Sequence, residues 1–388
     1  MEIAILTHAF PPMRGGFSRY TFEIFRHWVA QGIDAEVWTS VDFNDSPILN
    51  EAKLYSRVHY IQRNRDDTLG AFQVFRKFWQ KVKEDRPQYV FFPTWVPYAF
   101  FTPMIPFPAH KVIIATHAAE ILGLYPKSTF KAHPVVKYLG RRALRRADYV
   151  FTISNYTENL LVDLNVNQGA ISKFPNGVDI KKFRQIAVNK RELLRRYSLR
   201  HVGEEPVLLT VAQLNPRKGI DTAIRIVADL KNEGMPVQYV IIGTGEYEQE
   251  LHQLVAHHNI ESRVHILTNV DDADLVKFYN ICDLFILLSR HEGERNIEGF
   301  GIVFLEANAC GKPVIAGKSG GIPDAVVHGK SGYLVDPGDI SEIKFRIRYL
   351  INNPEVADEM GQYGEERAET KFTWKKITED MACTLGLG

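Results

Sequence analysis

Two carboxylates, Glu298 and Glu306, stand with seven residues between them around a Gly299-Phe300-Gly301 turn, and an apolar helix opens at Ile302. The helix stops at Gly311, and the chain passes through Pro313 into a short apolar run at 314–316. A helix N-terminus presents free backbone N–H groups to an anion, and glycines let a ligand approach the chain closely. Glu298 falls in the loop before the helix and Glu306 one to two turns inside it. The two acids can therefore reach different parts of one bound molecule. The chemistry fits a charged, hydroxyl-rich ligand such as a nucleotide sugar.

Other segments repeat this strand–loop–helix logic. Thr7-His-Ala-Phe-Pro-Pro-Met-Arg14-Gly15-Gly16-Phe-Ser-Arg-Tyr20 reads as a strand end, a proline-stiffened loop and a helix capped by Ser18, a backbone cradle for phosphate or sugar with Arg14 and Arg19 nearby. Val211-Ala-Gln213-Leu-Asn-Pro-Arg217-Lys218-Gly219 places two cations beside a helix start, where a diphosphate would find both charge and donors. Gly243-Thr-Gly245 lacks the third glycine of a dinucleotide fingerprint and reads as a turn for close backbone approach to a base or ribose. The loop 316–324 is glycine-rich but lacks the spacing of a P-loop. His117, just past a buried strand, can hydrogen-bond a sugar hydroxyl at the reacting centre, although a satisfied core histidine is the plain alternative. No His/Cys/Asp cluster has metal-ligand spacing, so no catalytic metal and no cofactor is expected.

These residues need a scaffold, and the chain's patterning supplies one. Its 388 residues suit two domains, and 45% hydrophobic with 24% charged residues is an ordinary globular balance. A net charge of +1 gives no field for nucleic acid, and three unpaired cysteines fit a reduced, cytoplasmic setting. The apolar run 89–108 carries five prolines and is no spanning helix. Short apolar runs alternate with amphipathic stretches, the pattern of parallel α/β sheets. Strands are expected at 3–7, 35–39, 89–92, 112–116 and 149–154, then at 207–211, 239–243, 264–267, 284–288 and 314–316. The expected fold is α/β: two Rossmann-like, doubly wound domains facing a cleft. Residues 1–180 would bind the acceptor and 181–369 the nucleotide sugar, with a C-terminal helix in 370–388 returning to the first domain. The segment 134–146 sets Lys137, Arg141, Arg142, Arg145 and Arg146 on one helical half. An exposed helix is the plain reading; contact with an anionic membrane or a lipid diphosphate is the sharper one.

Together these motifs resemble the retaining glycosyltransferases of family 4, which have the GT-B fold, over essentially the whole chain. The resemblance rests on Gly15-Gly16, His117, Ser154-Asn155, Pro175-Asn-Gly-Val-Asp179, Arg217-Lys218, the Glu298-to-Glu306 motif and Gly317–Gly321. Within the family, 297–307 and 314–321 look closest to GDP-mannose-dependent α-mannosyltransferases acting on phosphatidylinositol mannosides or polysaccharide precursors. The resemblance implies that Glu298, with the amides of Gly299, Phe300 and Gly301, holds the donor sugar and β-phosphate. Glu306 would bind the ribose and Lys218 the diphosphate, with Gly16 against the same group and His117 near the anomeric carbon. His117, Glu298 and Lys218 are thus the expected catalytic residues. Gly15, Gly16, Gln213, Arg217, Gly243, Gly299, Phe300, Gly301, Ile302 and Glu306 are the expected donor-binding residues. Arg14, Tyr20, Arg141, Arg142 and Arg145 are assigned to an acceptor or membrane. Where the family has an arginine, this chain has Gln213, and Arg217 is expected to take over its charge.

The implied activity is transfer of a sugar, α-mannose from GDP-mannose foremost, to a lipid-linked or glycan acceptor, in the cytoplasm or at the inner face of the membrane. A UDP-sugar donor is the alternative, ahead of an epimerase or a silent sugar-nucleotide-binding protein. A nicotinamide dehydrogenase is disfavoured, because the first βα turn lacks Gly-x-Gly-x-x-Gly.

Overall fold

The computed structural model describes residues 1–13, 15–42, 46, 51–105, 110–125, 133–199, 203, 205–293 and 297–387. The chain divides into two compact units, Met1–Asn176 with Trp374–Gly388, and Gly177–Thr373.

The first unit is built on seven strands: β1 Ile3–Thr7, β2 Ala35–Thr39, β3 Val58–Tyr60, β4 Tyr89–Phe92, β5 Lys111–Thr116, β6 Tyr149–Thr152 and β7 Ile171–Lys173. They form one parallel sheet in the order β3-β2-β1-β4-β5-β6-β7. Strands covered on both faces by crossover helices read as unbroken apolar runs, and every residue of β1 and β4 is buried. The helix Thr68–Asp85 lays Val74, Phe75, Phe78 and Val82 into this core, as its apolar stripe requires.

The last helix, Trp374–Leu385, belongs to the same unit and packs against the helix Gly16–Ala30. Its buried stripe is Trp374, Ile377, Met381 and Leu385. The Trp28 indole donates to the Thr378 carbonyl at 3.2 Å, and the Tyr89 hydroxyl donates to the Leu385 carbonyl. The return of the C-terminal helix to the first domain is therefore observed.

The second unit holds β8 Val207–Val211, β9 Gln238–Ile242, β10 Val264–Leu267, β11 Leu284–Leu287, β12 Val314–Gly317 and β13 Gly332–Val335. Its parallel order is β10-β9-β8-β11-β12-β13. In each sheet the strand order reverses once, between β1 and β4 and between β8 and β11. Ligands of such sheets bind outside the carboxyl ends of the strands at that reversal. The expected class, two Rossmann-like doubly wound domains, is the one observed.

Candidate active site

In the second unit the loops after β8, β11 and β12 meet at the reversal point. Gly219 (φ 65°) caps the helix Ile220–Asn232, and a Cβ there would lie 2.1 Å from the Leu288 carbonyl oxygen. Only glycine lets the loop after β8 nest this closely on the end of β11. Gly320 (φ 54°) does the same for the loop after β12, whose Cβ position is filled by the Glu298 carbonyl oxygen. Backbone bonds lock the assembly: Arg290 N–H donates to the Arg217 carbonyl at 2.9 Å, and Gly321 N–H to the Glu298 carbonyl at 2.9 Å.

On this frame the two expected cations converge on the first expected acid. Lys218 Nζ lies 2.5 Å and Arg217 Nη1 2.8 Å from the same oxygen, Glu298 Oε2. The side chains are 12%, 13% and 15% exposed, so the trio is neither solvated nor sealed. Burial works to raise the Glu298 carboxyl, but the Lys218 and Arg217 charges and their hydrogen bonds outweigh it and hold it below the ordinary value. The result is an ionised carboxylate shared by two cations, with one positive charge in excess. A diphosphate entering here would meet both cations, while Glu298 is left as an acceptor for hydroxyls. Gln213, by contrast, is exposed at the mouth of the loop and carries no charge.

The turn Gly299-Phe300-Gly301 leads into the helix Ile302–Ala309, whose first amides have no side-chain cap. Gly301 adopts φ 90°, and the Phe300 ring is buried against Phe372 at 6.0 Å. Phe300 therefore anchors the turn, and only its backbone is placed to serve a ligand. Glu306 is buried one turn in, accepting from the Tyr279 hydroxyl at 2.9 Å. Burial first, then the Glu306 charge, push the Tyr279 phenol well above its ordinary value, which keeps it a donor to Glu306. Gly243 lies at the end of β9, and the space its missing side chain leaves is filled by the Ala212 carbonyl. Its closeness serves loop-on-loop packing.

In the first unit His117 follows β5. Its Nε2 donates to the Pro93 carbonyl at 2.9 Å, and the Phe17 and Tyr20 rings meet it edge-on at 4.7 and 4.5 Å. Burial lowers its pKa to about 4, against a smaller opposing effect of the Pro93 bond, so the ring is neutral at pH 7. Glu120 Oε1 accepts from the His117 backbone N–H at 2.5 Å, next to Ala118 at φ 90°. A non-glycine residue held there is strained, as functional loops often are. Gly15 and Gly16 stand at the start of the helix Gly16–Ala30 with nothing within 4 Å of where a Cβ would be, leaving their backbone approachable.

Of the acceptor assignments, those of Tyr20 and Arg141 need correction. Tyr20 is 1% exposed, wedged between His117 and Trp374, so it presents no surface to an acceptor or membrane. Arg141 Nε donates to the Leu124 carbonyl and Arg145 Nε to the Leu164 carbonyl, each at 2.8 Å. These two guanidiniums staple loops of their own domain. Among the described residues Arg142 meets only the Tyr138 hydroxyl, at 3.1 Å on the exposed face. Arg14 lies outside the described residues. Among the described residues no group of three His, Cys, Asp or Glu could hold a metal ion, and no helix is long and apolar enough to cross a membrane.

Sequence reading missed three supporting residues. Arg290 grips Asp221 at 3.0 Å and Thr222 at 3.2 Å at the start of the helix Ile220–Asn232. Its one sequence signal is its place just past β11. Tyr279 and Glu120 leave no signal at all, because their partners come from other parts of the sequence or from the backbone.

Comparison with known proteins decides the class. Residues 14–182 match the family model Glycosyltransferase Family 4, and residues 194–367 match Glycosyl transferases group 1. The chain is a glycosyltransferase. A GDP-mannose-dependent alpha-(1-6)-phosphatidylinositol monomannoside mannosyltransferase of Mycobacterium tuberculosis is 27% identical over 383 residues, covering 98% of this chain and 97% of that protein. The monoacylated-substrate counterpart of Corynebacterium glutamicum is also 27% identical, over 97% and 96% of the two chains. Among solved structures, Anabaena HepE in complex with UDP and glucose superposes with a TM-score of 0.80 at 22% identity, over 100% and 99% of the chains. That likeness carries the fold of this glycosyltransferase alone.

Proposed function

We propose that this glycosyltransferase moves α-mannose from GDP-mannose, with retention, to a lipid-linked or glycan acceptor of envelope or polysaccharide biosynthesis. The observation that carries the reading is the trio at the reversal point: one carboxylate shared by Lys218 and Arg217 beside an uncapped helix start. Diphosphate oxygens displace Glu298 from the two cations, and the freed carboxylate turns to the sugar hydroxyls. Arg217 stands where it supplies the charge that Gln213 lacks. Glu306, oriented by Tyr279, takes the ribose. The choice of GDP-mannose over a UDP-sugar leans on the names of the mycobacterial and corynebacterial relatives, which match nearly end to end.

The glycosidic C–O bond to the nucleotide lengthens, and an oxocarbenium-like centre develops. The β-phosphate oxygen that leaves takes the proton of the incoming acceptor hydroxyl on the same face of the sugar. Lys218, Arg217 and the helix amides stabilise the departing diphosphate, and the protein's contribution is positioning and electrostatics. Neutral His117, with Nε2 donating to the Pro93 carbonyl, has an Nδ1 that can only accept. Glu298 is not a covalent nucleophile here. Lys218→Ala removes a charge-assisted partner worth about 3–5 kcal/mol, or about 10²- to 10⁴-fold in transfer. Turnover of GDP-mannose by that variant at the wild-type rate would overturn the assignment, and NMR of the product's anomeric proton tests retention.

A further inference from the structure

Ala118 adopts φ 90° and ψ −66° ahead of the one-turn helix Ala119–Leu122. These values belong to the rare, strained form of the γ-turn. Ala118 is fully buried, and no side chain at that position caps the helix. The task passes to Glu120, whose Oε1 accepts from the His117 N–H at 2.5 Å. A glutamate reaches back in the same sense in a capping box. Two further bonds tie this turn to the loop after β4: Trp95 Nε1 donates to the Glu120 carbonyl at 3.1 Å, and His117 Nε2 to the Pro93 carbonyl at 2.9 Å. The edge-on rings of Phe17 and Tyr20 close the other sides of the imidazole.

This arrangement costs stability. Glu120 Oε2 is buried with no partner among the described residues, and so are the Tyr20 and Thr94 hydroxyls. An apolar side chain at 120 would leave no oxygen unpaired, and glycine at 118 would take the positive φ without strain. Strain and orphaned polar atoms gathered around one side chain point to a function for it. Here that side chain is His117. Tyr20 touches its ring, Thr94 follows the Pro93 carbonyl that accepts from it, and Glu120 holds its amide.

We propose that Glu120 is a positioning residue for the transfer step, holding the 117–118 turn so that the His117 ring keeps one tautomer and one direction for Nδ1. The inference rests on the reading of His117 as a group at the reacting centre. Glu120 acts through the backbone of the turn. Either charge state of its carboxyl serves, since the carbonyl oxygen of a neutral acid still accepts. Without that acceptor the strained turn relaxes and the ring moves with it. A displacement of about 1 Å at a reacting group costs about 10²-fold in rate.

The test compares wild type, Glu120→Ala, Glu120→Gln, His117→Ala and the double alanine variant, all full length, with melting curves to establish folding. If Glu120→Ala does not fold, Glu120→Asp, one carbon short of the amide, takes its place with the same expectations. The His117 ring nitrogens are followed by ¹⁵N-edited NMR and assigned as the resonances absent from His117→Ala. Wild type and Glu120→Gln show one tautomer, protonated on Nε2; in Glu120→Ala the two nitrogen shifts move toward each other as the tautomers mix. GDP release from GDP-mannose, with water as acceptor, supplies the kinetic arm. Glu120→Ala lowers kcat about 10- to 100-fold with KM for the donor little changed, and Glu120→Gln restores it. The double variant is no slower than His117→Ala, because the two residues act as one. Wild-type nitrogen shifts in Glu120→Ala overturn the inference whatever the activity. So does a wild-type kcat there beside a lowered one in His117→Ala, or full additivity in the double variant. Failure of the His117 reading is separate: it shows as a wild-type kcat in His117→Ala, and the NMR comparison still decides whether Glu120 holds the ring.

Discussion

At the residue scale, the site works by keeping charges in unfavourable surroundings and compensating them by name. Glu298 stays ionised in a largely buried place because Lys218 and Arg217 stand on it, and the same contact holds the two cations together. Glu120 lacks such help. Burial raises its carboxyl to about 7, against smaller lowering effects of the backbone bonds at His117 and its own amide. The folded state therefore holds a proton that the unfolded chain releases above its ordinary value of 4.5. Between those two pH values the folded state binds more protons, so Glu120 takes stability away as pH rises. His117 has the opposite sign. Its folded pKa is about 4 against an ordinary 6.5, so it takes stability away as pH falls through that window. Glu120→Gln keeps an acceptor for the His117 amide while removing the titration. We expect its melting temperature, relative to wild type, to climb as pH rises from 4.5 to 7. A difference constant across that range would show that the carboxyl titrates normally.

At the scale of elements, the loops at the β8/β11 reversal are shaped by what glycine permits. Gly219→Ala would force a Cβ into the Leu288 carbonyl at a left-handed backbone position. Strain of that kind costs about 1–3 kcal/mol, and it would displace the Arg217–Lys218 turn that the glycine terminates. Chemical denaturation should show the lost stability, and nucleotide affinity should fall with it; a variant with wild-type values of both would mean the loop relaxes freely.

The same elements explain how far the sequence could be read. The central strands carry unbroken apolar runs, and β1, β2, β4, β8 and β10 fall where the pattern places them. The strands missed, β3, β7 and β13, are all at sheet edges and only three or four residues long. An edge strand has one neighbour and one exposed flank, so Ile171-Ser-Lys173 needs no apolar run and leaves none to find. The site divides likewise. The Glu298, Lys218 and Arg217 positions were legible from local glycine and charge patterning beside strand ends. Tyr20 and Arg141 were misread because a tyrosine after a loop and an arginine on a helix look exposed in sequence. Only the tertiary partners, Trp374 and the Leu124 carbonyl, bury the one and occupy the other.

At the scale of the whole molecule, the chain crosses from its first unit to its second and back again, ending on the helix Trp374–Leu385. That helix completes the first unit's core, since Trp28 bonds Thr378 and the Met381 side chain is fully buried. Met381→Ala should cost about 2–5 kcal/mol, the usual penalty for a cavity in a packed core. Calorimetry should assign the loss to one transition while the nucleotide-stabilised transition stays put. A uniform drop in both would mean that the two units unfold as one.

The central claim is that Lys218, Arg217 and Glu298 form a diphosphate-sugar site, and a melting-temperature screen with GDP, UDP and ADP tests it most directly. A ligand that binds only the folded state raises apparent stability by about 2.7 kcal/mol at a hundredfold excess over its dissociation constant. The account predicts a clear upward shift with GDP, smaller shifts with UDP and ADP, and loss of the GDP shift in Lys218→Ala. A GDP shift that survives unchanged in that variant, or no shift with any nucleotide, would contradict it.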